Sequence, residues 1–169
     1  MFKSKILVIV FISLFLTILN ASEMFQTVKA EDATLVKEDS SKEFCNVCGM
    51  HLVKHYKTNH ATEFKNGHKE QYCSLHCQAQ IHNDFEDKIK EIQVVDTNSL
   101  KLIDAKKAFY VVGSSKEGTM SMVSKYAFSS KDEALKFQKE FGGEIHNFEE
   151  TLKIAKDGLS KDNETLDKK

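Results

Sequence analysis

Asn66-Gly67 stands between two short runs with strand character, 60–64 and 69–73, and a helical pattern begins directly behind them at Ser74. An Asn-Gly pair in that setting reads as a β-hairpin turn, because both residues tolerate the positive φ that tight hairpins need. In the stretch that follows, Cys77, Ile81 and Phe85 recur every four residues, which is one face of a helix with Ser74 at its cap. Residues 92–95 then read as a strand. The same order returns further along. Strand candidates at 108–112 and 125–128 flank a Gly/Ser-rich loop at 113–122. Ser130-Lys131-Asp132-Glu133 is a capping box, Ala134, Phe137 and Phe141 line one helix face, and Gly142-Gly143 stops the helix before a short strand at 144–146. A last short helix is expected at 148–155. The expected fold is α+β: two similar strand-strand-helix-strand halves packed as one small domain.

The flanks differ in character. Residues 1–22 read as a signal peptide, with Lys3 and Lys5 ahead of an apolar run from 6 to 19 and small residues at Ala21 and Ser22. The run falls short of the roughly 20 residues of a membrane span, so export with cleavage is expected, retention as an anchor being the alternative. The first cysteine is Cys45, which leaves no lipid-bearing cysteine behind the apolar run. Residues 23–42 read as a polar spacer, 43–156 as the metal-binding domain and 157–169 as a disordered tail. Loss of the leader removes two lysines and no carboxylate, shifting the net charge from −1 to −3. That balance offers no basic footprint, so nucleic acid is not an expected partner.

All four cysteines fall in two clusters, Cys45-Asn46-Val47-Cys48-Gly49-Met50 and Cys73-Ser74-Leu75-His76-Cys77. A thiolate two residues from a thioether is a soft site that selects Cu(I) and also suits zinc. In extended chain, residues two apart point the same way, so Cys48 and Met50 can face one ion. Cys45 and Cys48 have metal-ligand spacing, and Cys73 and Cys77 lie one helical turn apart, so the four could also form a zinc site, although zinc knuckles usually separate the second pair by two residues. Export to an oxidising compartment keeps disulfides open as a further reading. His51 and His76 flank the clusters as candidate ligands. Met120 and Met122 form a second thioether pair in a glycine-flanked loop. No phosphate-binding glycine loop and no nucleophile elbow occur, so neither an enzyme nor a small-molecule substrate is expected.

The chain resembles the NosL family, exported copper-binding accessory proteins of nitrous oxide reductase. The residues that carry the resemblance are Cys45-x-x-Cys48-Gly49-Met50, Val95-Asp96, Leu102-Ile103-Asp104-Ala105, the run from Ala108 to Ser114, Gly118-Thr119-Met120, Ala127-Phe128 and the stretch from Ala134 to Gly143. The resemblance implies a periplasmic Cu(I) metallochaperone serving nitrous oxide reductase and its maturation machinery in denitrification. It implies Cys48 and Met50 as ligands and Met120 as a third. Cys73 and Cys77 lie outside the family pattern, and family members are usually lipoproteins. Competing readings are a structural four-cysteine zinc module that binds a protein, and a thiol-disulfide oxidoreductase using Cys45 and Cys48. The latter lacks the usual strand-then-long-helix setting. A carrier is expected to hold its ion by few, exposed ligands.

Overall fold

The computed structural model describes residues 24–166, and side chains as far as Ser160. The expected signal peptide lies outside the described residues. Among the described residues, no helix is long and apolar enough to cross a membrane.

Two sheets form. β1 (His60–Phe64), β2 (Lys69–Tyr72), α1 (Leu75–Phe85), β3 (Ile89–Val95) and β4 (Leu102–Asp104) make up the first half. The second half comprises β5 (Phe109–Val112), β6 (Lys125–Phe128), α2 (Lys131–Phe141), β7 (Glu144–His146) and α3 (Phe148–Leu166). The first sheet has order β2-β1-β3-β4 and the second β6-β5-β7. In each, the first strand of the half lies central and pairs antiparallel with both the next strand and the strand after the helix. The repeat expected from the sequence is therefore present in pairing as well as in order.

Local chemistry explains the turns. Phe64 N–H donates to the His68 carbonyl at 2.9 Å, and Gly67, at φ 85°, takes the left-handed position that closes the hairpin. Ser130 caps α2: its hydroxyl accepts from Glu133 N–H at 3.3 Å and donates to the Glu133 carboxylate at 3.1 Å. Ser74 occupies the N-cap of α1, but its hydroxyl makes no cap hydrogen bond.

One core is shared by the halves. Leu75 and Ala79 of α1, Ile92 and Val94 of β3, Tyr110 and Val112 of β5, and Phe148, Leu152, Ala155 and Leu159 of α3 pack together. Val111, between Tyr110 and Val112, faces the opposite side and packs with Tyr126, Phe128, Ala134 and Phe137 beneath α2. Alternation along β5 thus buries both faces of the second sheet. The sheets are tied where Asp96 bridges Ala127, with Thr97 N–H donating to the Ala127 carbonyl at 2.9 Å.

Three expectations change. Residues 24–42 are no free spacer. Phe25 sits among Tyr126, Phe137 and Phe141 at ring-centroid distances of 5.3, 5.9 and 6.1 Å. Gln26 is buried and donates to the Glu117 carbonyl at 2.9 Å. The final helix does not stop at 155 to leave a disordered tail from 157; it continues to Leu166, because the buried row of Phe148, Leu152 and Ala155 extends to Leu159. β4 was not anticipated, being only three residues long and half-buried, without alternation.

Candidate metal centre

The loop from Cys45 to Met50 is a closed turn. Cys45 N–H donates to the Met50 carbonyl at 2.9 Å, and Gly49 N–H donates to the Cys45 carbonyl at 2.8 Å. Gly49 has φ 75°, and a Cβ built there would meet no atom within 4 Å. Glycine is therefore required by the backbone, not by space. Phe44 and His51 bridge across the base of the turn.

Lys37, from the segment expected to be spacer, fixes this loop. It is 5% exposed, and its Nζ donates to the Phe44 carbonyl at 2.5 Å and to Asn46 Oδ1 at 2.7 Å, on either side of Cys45. Asn46 in turn donates to the Glu70 carboxylate on β2. Nothing in the sequence marks Lys37; a lysine in a charged run gives no sign of burial.

The second cysteine pair is placed by the β2-to-α1 turn. Cys73 follows the last residue of β2 and Cys77 lies in the first turn of α1, with their sulfurs 3.7 Å apart. Cys48 Sγ approaches Cys73 Sγ to 3.4 Å. All four Sγ atoms lie within 4.8 Å of one another, and all four cysteines are free thiols. A tetrahedral ion with metal–sulfur bonds of about 2.3 Å needs sulfurs about 3.8 Å apart, so these spacings suit one soft ion. Among the described residues, this is the cluster of three or more Cys, His, Asp or Glu donors.

The cluster has a buried and an open side. Cys45, Cys73 and Cys77 are buried, at 2%, 0% and 0% exposure, while Cys48 is half-buried. Met50, also half-buried, packs against the cluster with Leu35, Val47 and Ile81. Cys48 and Met50 are thus the more accessible of the soft donors gathered here. Hydrogen bonds from the Cys73 and Cys77 thiols hold the Cys45 thiol far below its usual range. The same bonds, with burial, push Cys73 and Cys77 up. A metal ion takes thiolates, so the protons these thiols carry must leave when metal binds.

The second-half loop approaches but stays outside. Thr58 donates to the Cys73 carbonyl at 2.8 Å and is paired with the Thr119 hydroxyl at 2.9 Å. Met120 follows, at φ 58° and 40% exposed, and Met122 is 99% exposed. Neither belongs to the packed cluster. His51 Nε2 lies 3.8 Å from Glu43, its ring against Phe44, and its Nδ1 is buried without a hydrogen-bond partner. His76 is buried on α1.

A family model described as NosL matches residues 32–154. The crystal structure of the copper chaperone NosL from Shewanella denitrificans is similar with a TM-score of 0.55 and 25% identity, covering 68% of this chain and 92% of that one. The solution NMR structure of apo-NosL from Achromobacter cycloclastes shares 28% identity over 52% of this chain and 81% of that one, with a TM-score of 0.36. No curated protein sequence matches the chain.

Proposed function

The chain belongs to the NosL family, and from that premise we propose that it is an exported copper chaperone, working in the periplasm, that carries Cu(I) for assembly of the catalytic copper centre of nitrous oxide reductase. The observation that carries this reading is the pairing of Cys48 and Met50, two soft donors two residues apart, on the open side of a thiol cluster. A carrier must release its ion, and donors at the surface can be replaced one at a time by a partner's ligands. Thiolate and thioether select Cu(I) over hard cations. Met120, on the tethered loop beside the cluster, is the candidate third ligand. The recipient and the compartment rest on the family and on the leader-like 1–22.

The deciding experiment has two parts. Anaerobic competition with a chromogenic Cu(I) chelator should show tight binding that weakens at least tenfold in both Cys48→Ser and Met50→Leu. Copper-loaded protein should then pass copper to apo-nitrous oxide reductase. Unchanged affinity in both variants together with no transfer would sink the reading.

The close approach of four thiols favours one second reading, a structural zinc site. Metal analysis of protein purified without added metal separates the two, because a structural site would come with stoichiometric zinc and the chain would unfold when a chelator removes it.

A further inference from the structure

We infer that Cys45, Cys73 and Cys77 form an inner trithiolate site that holds a second Cu(I) behind the Cys48–Met50 pair, so that a loaded chain carries two ions joined through a shared thiolate. This rests on the Cu(I)-carrier reading and extends it to Cys73 and Cys77, which lie outside the family's pattern.

Burial supplies the first argument. Three cysteines are sealed at 0–2% exposure, while Cys48 and Met50 are half-buried. The five soft donors therefore fall into an inner trio and an outer pair. Distances supply the second. The inner sulfurs include a 3.7 Å pair, and Cys48 Sγ is 3.4 Å from Cys73 Sγ. One thiolate can therefore belong to both sets. Donor counting supplies the third. Cu(I) accepts as few as two or three soft ligands, so a single ion leaves donors idle in a cluster where all four thiols lie within 4.8 Å. Charge gives the fourth. Four thiolates around one Cu(I) leave three uncompensated negative charges in a mostly buried site, and a second Cu(I) removes one of them. No electrons move. Each ion enters as Cu(I), and up to four thiol protons leave to solvent.

The test is a stoichiometric Cu(I) titration of the exported chain under anaerobic, reducing conditions. It is followed by chelator competition and by the luminescence of solvent-shielded Cu(I)–thiolate centres. The expected result is two equivalents, with emission rising to its maximum at the second. Cys77→Ser should bind one equivalent and lose most of the emission. The double variant Cys48→Ser/Met50→Leu should also bind one equivalent but keep its emission. Saturation and maximal emission of the unaltered protein at one equivalent would overturn the inner site, without depending on any variant folding. Two equivalents retained by folded Cys77→Ser would overturn it as well, as would one zinc ion that excess Cu(I) does not displace. If Cys48→Ser and Met50→Leu leave the first equivalent untouched, the outer-pair assignment fails, while the two-equivalent count still reports on the inner trio.

Discussion

Single side chains decide whether the metal loop keeps its shape, and Lys37 is the least expected of them. Its buried ammonium holds the Phe44 carbonyl and Asn46. Lys37→Met would leave those acceptors without their charged donor. A loss of about 1–3 kcal/mol in unfolding free energy is expected, by denaturant titration. A fall of about tenfold or more in Cu(I) affinity should accompany it, the usual scale for losing support of a ligand. His60 makes a different prediction. It is fully enclosed, with Nδ1 3.1 Å from the Thr58 carbonyl and Nε2 3.2 Å from the Tyr110 hydroxyl. Burial lowers its pKa from 6.5 to about 3. Between those values the unfolded chain binds the proton and the folded chain does not. The stabilisation is therefore whole above pH 6.5 and is lost as pH falls toward 3, at about 1.4 kcal/mol per unit. His60→Gln should lower Tm at pH 7 but flatten its fall between pH 6.5 and 3. At this scale the sequence was informative about sulfur and silent about support. Cysteine and methionine spacing reports ligand chemistry directly, whereas Lys37, Thr58 and Thr119 matter only through contacts made by folding.

Elements were legible where local rules agree. β1, β2, β6, α2 and β7 fall within a residue of their expected positions, because Asn66-Gly67, the Ser130–Glu133 box and Gly142 punctuate them. The rules failed at the end of the chain, where the polar, charged composition suggested that structure had ceased. Tertiary contact wins there: Leu159, 8% exposed, joins the core that α1 and α3 share. An exposed-looking turn of helix is therefore structural. Leu159→Ala is expected to cost about 2 kcal/mol, the low end for truncating a buried leucine, and thermal or urea unfolding measures it. The N-terminal segment was misread for a related reason. Its polarity suggested a linker, but Phe25 packs beneath α2 and Leu35 against the cysteine cluster, and buried Gln26 and Lys37 add hydrogen bonds.

For the whole molecule, the duplicated topology was visible as a repeated order of turns and helices, whereas the convergence of the four cysteines was only one of several readings left open. Cys48 and Cys73 are separated by 24 residues, and no spacing rule brings a loop before one strand onto the turn after the next; the β1–β2 hairpin does so. The two halves carry the same framework and unequal duties, since the thiols all belong to the first. The second contributes the tether from Thr119 to Thr58 and the shared core. Three sulfurs are sealed while Cys48 and Met50 are half-buried, so on the proposed carrier reading copper enters and leaves by that one side. Whatever hands copper in must stand where whatever takes it out will stand. Donor and recipient then exclude one another, and traffic runs by alternation, the chain leaving one before it greets the other. In a pull-down with both present, each should displace the other from this protein, and no three-part assembly should form.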